Sequence, residues 1–209
     1  MSEKLRIIGV VGLGLMGSSI IVGLLKSGCR VIAVTPLPEE LDSGEKRIKE
    51  QLHLADDMHL LTGSQQEYLK NLQVSKDYND LSSCQLVIEC IIELEEIKKI
   101  VYQNIEKVVE ASCIITSNTS AIPINILQQY LTRFMGLHWA EPAYATRFLE
   151  ITCGKNTNVT LAEMVHKEAV RWEKEPTLLY KDIRGFITNR LMYAVYRQGF
   201  ELINRGDVD

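Results

Sequence analysis

The sequence predicts a doubly wound α/β fold, a parallel sheet between two layers of helices, followed by the first helix of an all-α unit. Three features carry this expectation. Short apolar runs rich in β-branched residues alternate with longer amphipathic segments along most of the chain. The first run is followed at once by a cluster of glycines, Gly12, Gly14 and Gly17. The last segment, Gly185–Arg205, carries Ile187, Leu191, Val195 and Leu202 at near-helical spacing, widened by Phe186, Met192, Phe200 and Ile203, and no strand pattern follows it.

Leu5–Val11 reads as a strand covered on both faces, because it is short, apolar and closed by glycine. Met16, Ile20 and Leu24, with Ile21 and Leu25 beside them, recur at helical spacing as far as Gly28, a residue suited to a left-handed cap. Arg30–Thr35 is the next strand, so the chain opens with a right-handed βαβ unit. Leu41–Leu61 is charged and helical, and Gln65–Leu72 continues it as the second arm of a hairpin. Gln85–Ile92 returns to a buried strand, and Glu95–Glu110 sets Ile97, Val101, Ile105 and Val108 on one side of an amphipathic helix. Strands follow at Cys113–Thr116 and Phe134–Leu137, with a short helix over 124–129 between them, after Pro123. Phe148–Cys153, a helix over Leu161–Trp172 and a strand over Thr177–Tyr180 complete a first domain, placed at residues 1–182. Residues 183–209 then form the first helix of a truncated helical unit, whose broad apolar face needs a partner surface.

A hydrophobic content of 46% excludes disorder, and 23 basic against 27 acidic residues, with no basic stripe, exclude a dedicated nucleic-acid binder. Five scattered cysteines with no CxxC pair suggest neither a zinc site nor a disulfide framework, so reduced thiols and a cytoplasmic location are expected. Ile7–Leu25 lacks charge, yet its glycines break the run and no small-residue cleavage site precedes Lys26. Neither a membrane span nor a signal peptide is expected there.

Gly12-Leu13-Gly14-Leu15-Met16-Gly17 matches G-x-G-x-x-G after a predicted strand and at the start of a predicted helix. In that setting Gly12 makes the tight turn, Gly14 lets backbone approach a pyrophosphate, and Gly17 lets helix and strand pack closely. The N–H groups of the helix start, around Leu15 and Met16, then face the phosphates of a dinucleotide. The competing reading is a glycine turn kept only for packing. An acid is expected to end the second strand and bond the adenosine ribose, but Thr35 occupies that place. Its hydroxyl lacks a carboxylate's repulsion of a 2′-phosphate, and no arginine stands beside it in sequence; NAD is expected over NADP.

His138 lies in Gly136-Leu137-His138-Trp139-Ala140-Glu141-Pro142, just past a predicted strand, at the sheet end where ligands bind. Glu150 follows twelve residues later on the next strand, within reach to hold the second imidazole nitrogen of a general base. A structural histidine is the plainer alternative.

At this point the chain resembles the NAD-dependent L-3-hydroxyacyl-CoA dehydrogenases. The carriers are Gly12–Gly17, Glu93 and Lys98, Ser117-Asn118-Thr119-Ser120, Gly136-Leu137-His138, Phe148-Leu149-Glu150, and the run Lys181-Asp182-Ile183-Arg184-Gly185-Phe186-Ile187-Thr188-Asn189-Arg190. The resemblance implies a Rossmann-type NAD domain, an acyl-CoA substrate and a homodimer built through a helical second domain. It implies His138 as the base that takes the 3-hydroxyl proton, Glu150 as its orienting partner, and Ser120 and Asn189 as groups that hydrogen-bond the substrate. Glu93, Lys98 and Asn118 then line the nicotinamide half of the cofactor site; the alternative for Glu93 and Lys98 is a surface pair at a helix entrance.

Departures from the family pattern point elsewhere. Glu141 stands where the family usually has asparagine, adding negative charge after the histidine. The helix after the second strand keeps Lys46, Arg47 and Lys49 early but shows Asp56, Asp57 and Met58 where basic residues usually face coenzyme A. These acids favour a 3-hydroxy acid without coenzyme A as a rival substrate, while Thr35 and the single terminal helix favour a catalytically weak cofactor-binding module. His53 and His59 flank the acids without a recognisable ligand pattern; a solvated face is expected and no metal.

Overall fold

The computed structural model describes residues 5–128 and 131–208. In chain order its elements are β1 (Ile7–Val11), α1 (Leu15–Lys26), β2 (Arg30–Val34), α2 (Leu41–Asp57), α3 (Gln65–Leu69), β3 (Leu72–Ser75), β4 (Leu86–Glu89), α4 (Glu95–Glu106), β5 (Ile114–Ser117), α5 (Ile124–Leu127), β6 (Phe134–Trp139), β7 (Phe148–Cys153), α6 (Val159–Arg171), β8 (Glu175–Leu179) and α7 (Thr188–Arg205). Single helical turns at Pro38–Glu40 and Tyr78–Ser83 lead into α2 and β4. The strands form one sheet in the order β3-β2-β1-β4-β5-β6-β7-β8.

Side chains alternate across this sheet with the strand period of two. Ile8 and Val10 of β1, and Leu86 and Ile88 of β4, point into a core built with Ile20, Leu24, Ile48, Leu52, Val165 and Trp172 of α1, α2 and the α6 region. Val11 and Val87 point the other way, to Val101, Tyr102, Ile105, Ile124 and Leu127 of α4 and α5. Both faces are therefore buried, as the continuous apolar strands require, and each fully buried Leu, Ile or Val contributes about 1.5–3 kcal/mol before chain entropy is set against it.

The α/β class is as expected, but the sheet is mixed rather than wholly parallel: β6 and β7 pair antiparallel. The physical reason is the connection. Residues 140–147 cannot make the crossover of a dozen or more residues that a parallel neighbour needs, so the chain must fold straight back. Several boundaries also move. The helix expected over Gln65–Leu72 stops at Leu69, and Leu72 instead opens an edge strand paired in parallel with β2, from Val31↔Leu72 to Val34↔Ser75. α2 stops at Asp57, with His59 in the left-handed region at φ 57°. β6 runs on to Trp139, so His138 lies within the strand. The short helix ends at Leu127, and the part expected at Gln129 lies outside the described residues.

None of α7 is buried: Leu191, Tyr193, Val195 and Phe200 are all exposed, whereas Phe186, just before it, sits in the second core. Among the described residues no helix is long and apolar enough to cross a membrane. All five cysteines are free, and burial pushes the thiols of Cys29 and Cys84 up to about 11 and 12.

Candidate active site

The turn from β1 into α1 builds one wall of the site. Gly12 has φ +100°, and a Cβ there would stand 2.8 Å from the Cys90 carbonyl carbon and oxygen. A Cβ on Gly17 would fall 1.9 Å from Gly12 O, so α1 packs onto its own turn only because position 17 is glycine. Gly14 faces open space. The first turn of α1 has neither a side-chain cap nor an acidic residue, which leaves its N–H groups and positive dipole end uncompensated. Leu15 points to solvent, and Met16 lines a cavity of about 300 Å³ together with Cys90, Ile91, Glu93, Lys98, Asn118, Ser120, His138 and Trp139.

His138 and Glu150 are direct register partners in the antiparallel β6–β7 pair, and Nδ1 lies 2.9 Å from Glu150 Oε2. The other carboxylate oxygen accepts hydrogen bonds from the N–H groups of Ile187 and Thr188, at 3.0 and 2.9 Å, and from the Thr188 hydroxyl at 3.2 Å. Phe148 meets the imidazole edge-on and Phe186 tilts against it, which fixes the ring plane. With Nδ1 committed to the carboxylate, Nε2 is the nitrogen free to take a proton. Burial alone would raise the Glu150 carboxyl, but the bond to His138 and the two N–H donors outweigh it and hold it below the ordinary 4.5.

That direction sets a pH expectation. A carboxylate depressed in the folded state adds stability that is present above the unfolded value near 4.5 and is lost as pH falls through the folded value. The melting temperature of the protein should therefore fall on acidification below 4.5, and E150Q should flatten this acid limb. Equal acid slopes for the two proteins would contradict the assignment.

A buried ionic network underlies the cavity. Lys98, only 1% exposed, places Nζ 2.6 Å from Glu89 Oε1 and 3.2 Å from Glu93 Oε2. It is thus not the surface partner of Glu93 that a helix entrance would suggest. Glu93 also accepts from the Thr119 hydroxyl and from the N–H groups of Ser120 and Ala121, at 3.2 and 3.3 Å. Burial raises its carboxyl, and these bonds together with the Lys98 charge bring it below the ordinary value.

Glu89 is a residue that sequence reasoning missed. It is fully buried at the end of β4; Oε2 accepts from the Tyr102 and Ser117 hydroxyls at 2.6 and 2.7 Å, and Oε1 accepts from Ile91 N–H at 2.8 Å. The available signal was an acid ending the apolar run Leu86-Val87-Ile88, since a charge buried there demands partners.

Asn118 Oδ1 accepts from Trp139 N–H at 2.9 Å and so ties the end of β5 to β6. Asn189 reaches across from α7 to donate to the Ser120 carbonyl at 2.8 Å. Lys174, buried beneath the β6–β7 connection, donates to the carbonyls of Ala143 and Thr146 and braces the return of the chain. Burial, with Lys26 nearby, pushes its amine down to about 8.

Two candidates face elsewhere. Thr35, expected at the adenosine ribose and not at this cavity, is buried, and its hydroxyl donates to the Leu37 carbonyl at 3.0 Å and accepts from the Leu37 N–H at 3.2 Å. Glu141 does not line the cavity; burial raises its carboxyl, opposed by a hydrogen bond with Ser19 of α1. On the exposed face of α2, His53 and Asp57 approach to 3.6 Å.

Residues 7–183 match the family model for 3-hydroxyacyl-CoA dehydrogenase, NAD binding domain. The chain belongs to that family. It is accordingly an NAD-dependent oxidoreductase, in a family that oxidises 3-hydroxy substrates. Similar curated proteins include a 5-formyl-3-hydroxy-2-methylpyridine 4-carboxylate 5-dehydrogenase of Mesorhizobium japonicum, 28% identical over 98% of this chain and 67% of its own length. A probable 3-hydroxybutyryl-CoA dehydrogenase of Deinococcus radiodurans is 29% identical over 95% of this chain and 72% of its own. Among solved structures, (S)-3-hydroxybutyryl-CoA dehydrogenase from Ralstonia eutropha superposes with a TM-score of 0.90 at 26% identity, covering 99% of this chain and 74% of that one. The residues present fit the cofactor: an uncompensated helix start opposite the open side of Gly14 suits a pyrophosphate, and the cavity beside Met16 and Asn118 suits a flat ring.

Proposed function

We propose that the protein interconverts a 3-hydroxyacyl-CoA and its 3-oxo thioester with NAD, His138 acting as base and Glu150 orienting it. The observation that carries this reading is the 2.9 Å contact between His138 Nδ1 and a buried Glu150, on the wall of the cavity that also holds Glu93, Lys98, Asn118 and Ser120. NAD, when bound, supplies the acceptor for the hydride that leaves C3. His138 Nε2 takes the hydroxyl proton, and the carbonyl forms as both leave. Glu150 stabilises the resulting imidazolium, an effect strengthened where water is excluded. Ser120 and Asn189, held together at the rim, are the groups proposed to hydrogen-bond the substrate oxygen. Gly12, Gly14, Leu15, Met16 and Gly17 hold the pyrophosphate, and Glu93, Lys98 and Asn118 the nicotinamide side.

A second reading, a 3-hydroxy acid free of coenzyme A, is favoured by the exposed Asp56 and Asp57 at the end of α2 and by the pyridine carboxylate in the name of the Mesorhizobium relative. NADH consumption with acetoacetyl-CoA and with acetoacetate separates the two. The thioester should show a kcat/KM at least about 100-fold higher, the scale on which lost binding energy discriminates substrates. Comparable values would transfer the proposal to the free acid, and turnover of neither would leave only a cofactor-binding module.

We propose further that the first domain ends near residue 182, and that the exposed apolar face of α7 opens a helical unit through which the protein forms a homodimer. Sedimentation equilibrium should then report a dimer at micromolar concentration; a monomer throughout would remove this part. The five unpaired thiols support a reducing, cytoplasmic compartment, which cell fractionation would check.

A further inference from the structure

The adenosine end of the cofactor cleft lacks the device that rejects a 2′-phosphate. β2 is followed by Thr35, buried and bonded to Leu37, and then by Pro36, which has no N–H to offer. This strand end lies against the glycine turn, because Gly12 N–H donates to Val34 O at 2.8 Å.

From the other side α2 closes on the same turn. Gly44 packs so tightly that an added Cβ would stand 2.7 Å from Leu13 Cβ, and one turn later Arg47, half-buried, donates from Nη1 to Leu13 O. Its helical neighbours Lys46 and Lys49 pair with Glu50 and Glu45, at 3.7 and 2.6 Å. Among the described residues no carboxylate lies within ion-pair distance of Arg47. A permanently charged fork, most of its donors unspent, thus stands at the glycine turn, against which the acid-free end of β2 also lies.

An acid at this strand end would grip the ribose diol and repel a 2′-phosphate, whereas a guanidinium suits a phosphate in bidentate geometry. We propose that the pocket admits the 2′-phosphate, so that the protein binds NADP as well as NAD, with Arg47 as the residue that holds the added phosphate. Glu39 and Glu40, in the turn before α2, oppose it. Both are exposed to solvent and screened over about 8–10 Å by salt, so the outcome is tolerance of the phosphate rather than a preference for it. The inference rests on cofactor binding at the glycine turn, not on the acyl substrate.

Titrating the full chain with NADH and with NADPH, followed by energy transfer from its tryptophans, gives both Kd values without turnover. The ratio of the NADPH to the NADH value should lie within about tenfold, where an opposed carboxylate would impose a far larger gap. R47Q should raise the ratio at least about fivefold, the scale of a lost charged hydrogen bond, and T35D should raise it about 100-fold. Should R47Q fail to melt cooperatively, R47K gives a second test, because a point charge lacks the bidentate fork and the ratio must again rise.

A wild-type ratio above about tenfold overturns the inference, as does a ratio unmoved by the Arg47 substitutions. A ratio unmoved while coenzyme A binding weakens would assign Arg47 to the phosphate of a thioester and overturn it equally. Without NADH binding the cofactor reading falls and takes this inference with it; NADH binding without acetoacetyl-CoA turnover removes the proposed activity and leaves these ratios standing.

Discussion

Replacing His138 by glutamine is expected to lower kcat with acetoacetyl-CoA by about 10²–10⁴-fold, the range general acid–base groups contribute, while the Kd for NADH changes less than about twofold. Glutamine can still meet the neighbouring carboxylate but cannot accept and release a proton. The fold should persist, because Glu150 keeps its bonds from Ile187, Thr188 N–H and the Thr188 hydroxyl when His138 is lost. A loss confined to kcat, with KM little changed, would mark an interaction made in the transition state. If H138Q retained kcat within about fivefold, far inside that range, the imidazole would be structural and another base would have to be sought.

Truncating Glu89 to alanine is expected to cost about 3–5 kcal/mol of folding stability, the scale for breaking a buried pair by removing one partner. Lys98 would lose its nearer carboxylate and keep Glu93 at 3.2 Å and the Ile91 carbonyl at 3.4 Å. The Tyr102 and Ser117 hydroxyls and Ile91 N–H would lose their acceptor where Glu89 is fully buried. E89Q preserves the volume and some of the bonds, so its cost should be smaller, about 1–3 kcal/mol. Urea unfolding measures both. A penalty below about 1 kcal/mol for E89A would show that the network is not buried as described, since even one orphaned polar group costs that much.

The histidine and glutamate could be placed on neighbouring strands before any coordinates because only twelve positions separate them, whereas the antiparallel run of those strands was missed in favour of a parallel sheet. An eight-residue connection, 140–147, permits only antiparallel pairing, and that pairing sets positions 138 and 150 face to face. The glycine turn could be read for a similar reason: its spacing, strand and helix are all local. What escaped depends on distant chain. Leu72 continues the helical spacing of Tyr68 and Leu69, yet it opens a strand because β2 offers it an edge. Glu89 looked like a strand end until Tyr102 and Ser117 arrived from two other elements. Arg47 reaches Leu13 across 34 positions, so no neighbour in sequence could announce it at the glycine turn.

One carboxylate serves two masters in this chain: Glu150 steadies the imidazole with one oxygen and moors the leading end of α7 with the other. Tilting that helix therefore tugs on the very group that dictates which ring nitrogen carries its proton. The start of α7 and the imidazole of His138 thus share one carboxylate as their common anchor.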